Sequence, residues 1–372
     1  MKTKKSLLVL TTIALVFALA FAACGDGGSG SSNDKSSGEN PVSGNNNATV
    51  YVSGAYLDGS GNAKACYWVN GKITDLPVPN GTEGYATGIT VQGGSVYVSG
   101  GYGDDYYAVA CYWVNGKRTD LPVPNGTDGH TTGITVKDGK VYVSGDYYYS
   151  NDNVKACYWV HGERIDLPVP TPNELDLSYT SGITVQGDNV YISGACYGSD
   201  YNNRACYWVN GTRTDLSGKY GRTSGITVQG GNVYVSGDCY GEPCYWVNRI
   251  RTELTTPLDG STSGITVYDD KIYISGDYMD DDPYKAYYWV DGTRIELPVP
   301  NVMEGFTSGI TVQEGNVYLA GYYYDKVYDH DLNIVYHDNS KACYWINGKR
   351  TDLSIPSGTH VAETSGIAVV TR

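Results

Sequence analysis

One phrase, ACYWVNGKRTDLPVP, complete at Ala110 to Pro124, recurs in seven versions along the chain, and every tryptophan lies in one of them. These are Trp68, Trp113, Trp159, Trp208, Trp246, Trp289 and Trp345, spaced by 45, 46, 49, 38, 43 and 56 residues. A unit of this length cannot bury its apolar surface alone, so copies must stack on one another. Each unit holds four short β-like pieces, seen as TSGITVQGG (Thr223 to Gly231), NVYVSG (Asn232 to Gly237), ACYWV and RTDL (Arg118 to Leu121). Gly-Gly, Asp-Gly or Glu-Gly joins the first piece to the second in four repeats. Asn-Gly, His-Gly or Asp-Gly joins the third to the fourth, except at Asn248-Arg249 in the fifth repeat. Such pairs reach positive φ cheaply and close tight hairpins.

Four antiparallel strands repeated seven times predict an all-β, seven-bladed β-propeller over residues 48–372. The first three pieces are apolar on both faces, as sheets packed between two neighbours must be. The chain enters on a second strand, Thr49-Val50-Tyr51-Val52, and leaves on a first strand, Thr364 to Val370. The C-terminal strand is therefore expected to complete the N-terminal blade and close the ring. The 48 glycines and 36 tyrosines, against three Phe and three Met, suit strands and turns.

Residues 1–23 read as a targeting segment: Lys2, Lys4 and Lys5 precede an apolar run from Leu7 to Ala20. The sequence Phe21-Ala22-Ala23-Cys24 resembles a bacterial lipobox, which implies lipidation at Cys24 and an exported cell-envelope lipoprotein of the outer membrane or cell surface. Ordinary cleavage after small residues is the alternative, and it too exports the protein. Residues 24–47, rich in Gly, Ser and Asn, form a flexible tether. The repeats themselves, as at Ala110-Cys111-Tyr112-Trp113-Val114-Asn115-Gly116 to Asp120-Leu121 and on to Gly139-Lys140-Val141-Tyr142-Val143-Ser144-Gly145, resemble the tandem bacterial extracellular repeats called HAF repeats. That resemblance implies an exported propeller-like protein and supplies no catalytic residue.

Residues constant from repeat to repeat read as structure. The tryptophans are core. An acid closes each fourth strand (Asp75, Asp120, Asp166, Asp215, Glu253, Glu296, Asp352), with Arg two residues earlier in six repeats. These acids read as solvated or locally paired charges, since outer strands of neighbouring blades are too far apart to share an ion. Cys66, Cys111, Cys157, Cys206, Cys244 and Cys343 share one position and read as small buried hydrophobes. Cys196 with Cys206, and Cys239 with Cys244, flank turns and are candidate disulfides.

Residues that vary concentrate in the second-to-third and fourth-to-first connections, which share one face of a propeller. Tyrosines there form the candidate ligand-binding set: Tyr102, Tyr106, Tyr107, Tyr147, Tyr148, Tyr149, Tyr201, Tyr278, Tyr322, Tyr323 and Tyr324. With Asp and Asn they supply rigid aromatic area and adaptable hydrogen bonds. Asp280 with Asp282, and Asp329 with Asp331, are weak Ca²⁺ candidates, with plain solvated acids as the alternative. No other cofactor is expected. A formal charge of −14 argues against nucleic acid. The five histidines are scattered, and no nucleophilic triad stands out. The expectation is a monomeric binding or adhesion protein, not an enzyme, that meets a protein or glycan and touches membrane only through its anchor. A polysaccharide-acting enzyme using carboxylates of the variable face, or a passive surface coat, is the alternative.

Overall fold

Among the described residues, 28 strands form seven four-stranded antiparallel sheets. The computed structural model describes residues 48–371 apart from 105–106, 126, 151–152, 169–173, 199–201, 217–219, 257–259, 280–283, 301–302 and 330–333. The leader, Cys24 and the tether lie outside the described residues. Blades 2 to 7 each run in simple order from first to fourth strand, and blade 1 is built from both ends of the chain. There Ala362–Thr371 pairs with Ala48–Leu57, with Val50 opposite Val369 and Val52 opposite Ile367. The ring closes as the phase of the termini predicts.

The blades adhere through apolar layers. The core divides into clusters that straddle neighbours: Ala65 and Leu76 of blade 1 pack with Val98 and Trp113 of blade 2, and Tyr112 and Leu121 of blade 2 pack with Val143 and Trp159 of blade 3. All seven tryptophans are fully buried. Five also tie blades together by donating Nε1–H to a carbonyl just past the fourth strand of the preceding blade. These are Trp113 to Pro77 (3.0 Å), Trp159 to Pro122 (2.9 Å), Trp208 to Pro168 (3.3 Å), Trp345 to Pro298 (3.1 Å) and, across the closure, Trp68 to Ser354 (2.7 Å).

A hydroxyl chain runs nearer the axis. Each first strand carries a β-bulge at its Thr/Ser-Gly, and the extra residue bridges its own second strand and the next blade's first strand. Thr132 Oγ1 meets Ser144 Oγ at 2.9 Å and Thr180 Oγ1 at 2.7 Å, and Ser224 Oγ meets Ser236 Oγ at 2.8 Å and Thr262 Oγ1 at 2.6 Å. The pattern lapses where Ala320 replaces the second-strand serine and where Ala86 replaces the threonine that Ser365 would meet.

The two cysteines of each candidate disulfide pair lie side by side. Cys196 Sγ and Cys206 Sγ lie 3.6 Å apart, and Cys239 hydrogen-bonds Cys244, with neither pair joined as a disulfide in this structure. Cys206 stands opposite Gly194 and Cys244 opposite Gly237, so both pairs are diagonal. Diagonal Cα atoms on neighbouring strands sit about 7–8 Å apart, beyond comfortable disulfide reach.

Candidate functional site

The seven first strands converge on an axial channel lined by a repeated Gly-Ile pair, such as Gly88-Ile89, Gly133-Ile134 and Gly225-Ile226, around a cavity of about 200 Å³. Three residues before each glycine, at the end of the strand nearest the variable connections, one position differs in every blade but one. It is Tyr85, His130, Tyr179, Arg222, Ser261, Phe306 and Glu363 in blades 2 to 7 and 1. All seven are half-buried. Each pairs with the second-strand residue that follows the Ser-Gly or Ala-Gly: Gly101, Asp146, Ala195, Asp238, Asp277, Tyr322 and Ala55. The flanking Gly and Ser/Thr positions barely change. A rigid seven-fold frame thus presents a ring of unlike side chains at the channel mouth, built from strands and not from loops.

The ring has distinct sectors. In blades 6, 7 and 1, Phe306 stacks on Tyr322 (5.5 Å, 17°) and Tyr324 (5.4 Å, 18°), with Tyr284 tilted beside it at 5.5 Å. Asp277 and Glu363 both lie near enough to Tyr322 for their charges to add to the burial that raises its hydroxyl pKa. Burial pushes the Asp277 carboxyl up to about 7, against a hydrogen bond donated by Ser261 at 3.0 Å. Burial likewise raises Glu363 to about 7, against a hydrogen bond from Ser340. In blades 2 to 4, the Tyr85 hydroxyl and His130 Nδ1 are 3.2 Å apart, and His130 meets the Tyr148 ring edge-on at 5.6 Å. Burial lowers the His130 pKa and raises that of Asp146 to about 7, the latter opposed by the Thr180 N–H of the next blade. In blade 5, Arg222 pairs with Asp238 at 3.3 Å.

The tyrosines expected to bind ligand divide in two. Tyr102, Tyr147, Tyr278 and Tyr323 are buried and face the outer strands. The hydroxyls of Tyr102, Tyr147 and Tyr323 donate to the fourth-strand acids Asp120 (3.0 Å), Asp166 (3.2 Å) and Asp352 (3.2 Å), as Tyr56 does to Asp75 (3.1 Å). Arg118, Arg164 and Arg350 cover these rings at 4.4, 4.7 and 4.6 Å and also bind the same acids. Arg294 covers Tyr278 at 4.6 Å. These four tyrosines are struts, because the second strands extend past the Ser-Gly and leave no loop there. Tyr324 is buried and Tyr322 half-buried within the mouth, while Tyr107 and Tyr148 are exposed. Tyr106, Tyr201, Asp280, Asp282 and Asp331 lie outside the described residues, as do the side chains of Tyr149 and Asp329. Among the described residues no three metal-ligating side chains come together. Comparing repeats by loop overlooked Tyr85, His130, Tyr179, Arg222, Phe306 and Glu363. The signal was present as the most variable position inside a nearly constant first strand.

No protein-family model matches the chain, and no curated protein is similar to it, so the expected membership among HAF repeats is not shown. Solved structures share the fold. The β-propeller domain of the Trilobed protease from Pyrococcus furiosus is 10% identical with a TM-score of 0.46, covering 84% of this chain and 95% of that one. A Trypanosoma rangeli sialidase in complex with sialic acid is 9% identical (TM-score 0.44), covering 74% of this chain and 55% of its own. A Mycobacterium tuberculosis puromycin-hydrolyzing peptidase is 12% identical (TM-score 0.44), with 74% and 54% covered. The chain thus spans about half the length of the latter two. The expectation that the protein is not an enzyme is corrected here. The similar structures include a peptidase and a sialidase, and a shared fold does not separate this chain from them.

Proposed function

We propose that the channel mouth binds a carbohydrate. One observation carries this reading: the Phe306, Tyr322 and Tyr324 rings lie nearly parallel at the mouth with Asp277 and Glu363 beside them. Aromatic faces take the C–H faces of sugar rings, and carboxyls at their edge take the hydroxyls. Carboxyls near neutral pKa serve both as donors and as acceptors, which matches hydroxyl groups that do the same. A lipid at Cys24 and a flexible tether would hold this face toward glycans outside the cell. Titration calorimetry of the full chain against a panel of soluble polysaccharides tests the reading. Phe306→Ala should weaken binding about tenfold while unfolding remains cooperative. Equal affinity in the variant, or no binding by the native protein, would remove the proposal.

A second reading builds on the same residues. Two carboxyls that titrate near neutrality beside bound sugar suit glycoside hydrolysis, one protonating the leaving oxygen and the other taking a proton from water. Release of reducing ends from the bound polysaccharide, lost in Asp277→Asn and in Glu363→Gln, would support it. Binding without release would reject it and leave recognition standing.

A further inference from the structure

Blade 5 is the shortest repeat, and its second and third strands, Asn232–Cys239 and Glu242–Val247, are joined by Tyr240-Gly241 alone. Both residues have positive φ, 57° and 80°. The same two-residue geometry closes other hairpins of this molecule with asparagine first, as at Asn70-Gly71, Asn115-Gly116, Asn210-Gly211 and Asn347-Gly348. Asparagine tolerates the left-handed region through local hydrogen bonds, whereas a bulky ring does so only at a steric cost. Tyr220, which receives the Tyr240 N–H on its carbonyl at 3.2 Å, is left-handed too, with φ 62°.

That cost is not returned as burial. Tyr240 is 66% and Tyr220 47% exposed, the two most exposed aromatic side chains among the described residues, with ring centroids 5.2 Å apart. Strained, exposed residues that persist point to a function for the side chain. Two residues further into the mouth on each strand stand Arg222 and Asp238, ion-paired at 3.3 Å, and Asp238 also accepts the Gly241 N–H. A guanidinium beside a carboxylate offers a donor and an acceptor side by side, the spacing that adjacent sugar hydroxyls need. Arg222 is the one cation of the seven mouth positions, and Asp238 already neutralises it, so the pair suits a neutral sugar.

We infer that Tyr220, Tyr240, Arg222 and Asp238 form a second sugar subsite, separate from the Phe306 platform. Blade 6 lies between them, and its own pair at this level of the mouth is Ser261 opposite Asp277. The ligand is then a neutral oligosaccharide long enough to engage both stations, an extension that rests on the carbohydrate reading above.

The test is affinity against chain length, using cello-, malto- and xylo-oligosaccharides from disaccharide to octasaccharide with the full chain, together with thermal unfolding. Tyr240→Asn should raise the melting temperature by relieving strain, lower affinity for the longer members about tenfold and leave the disaccharide unaffected. Tyr220→Asn should behave alike. Native binding with unchanged affinity of both variants at every length would overturn the second subsite and leave the first intact. A lowered melting temperature in both would make the tyrosines structural and overturn it too. No binding by the native protein at any length would instead remove the carbohydrate reading beneath it.

Discussion

The glycine of each Ser-Gly on the second strand shows how tightly single positions are determined. A Cβ at Gly100 would collide with the Tyr85 carbonyl and come within 2.8 Å of Trp113 Cζ3. Backbone cannot yield there, and the indole is locked between blades. Gly100→Ala should therefore cost about 1–3 kcal/mol, seen as a lower midpoint in denaturant with an unchanged slope. The mouth acids make a second residue-scale prediction. Asp146, Asp277 and Glu363 carry folded pKa values of about 7, against ordinary values of 3.8, 3.8 and 4.5. Between those limits the folded protein holds protons that the unfolded chain has released. Their contribution is complete below about pH 4, is lost as pH rises through 7, and is flat above. Melting temperature should fall from pH 5 to pH 8, and Asp277→Asn should flatten part of that slope.

Strands read more clearly from sequence than the site did, for a physical reason. Tryptophan spacing, Asn-Gly turns and the phase of the termini report backbone pairing, which every blade must repeat. Tyr102, Tyr147, Tyr278 and Tyr323 misled because a tyrosine past a strand motif looks the same whether it caps a loop or braces the blade. Only the register that brings Tyr102 and Tyr147 to Asp120 and Asp166 tells the two apart. Two element-scale outcomes follow from the inter-blade contacts. Ala86→Thr would give Ser365 Oγ the neighbour that Thr132 finds in Thr180, extending the hydroxyl chain from blade 1 to blade 2. It should stabilise by about 0.5–1.5 kcal/mol in thermal or denaturant unfolding. Removing residues 362–371 strips the inner strand from blade 1 and uncovers the edge of Ala48–Leu57. That variant should lose its cooperative transition and bind a hydrophobic dye, because the closed ring leaves no other cover for the edge.

At the scale of the whole molecule, charge and site are separate designs. The chain carries 40 acidic and 26 basic residues, and at the mouth positions the single cation is already paired. Such a field repels anions at range and offers them no free counter-charge on arrival. It would attract cationic ligands, but the mouth meets a ligand with rings, hydroxyls and carboxyls that burial holds near neutrality, a poor lure for a cation at neutral pH or below. The proposed ligand is accordingly neutral and hydroxyl-rich, held by stacking and hydrogen bonds at short range. These contacts lie well inside the screening length of about 10 Å at 0.1 M salt, and they involve no net charge. Affinity for a neutral oligosaccharide should therefore stay within about twofold from low salt to 0.5 M, measured by calorimetry at fixed pH. Affinity that drops steeply with salt would mark a cationic ligand drawn by the acidic surface. Affinity that climbs would mark an anion whose repulsion had been screened. Either slope would replace the neutral glycan.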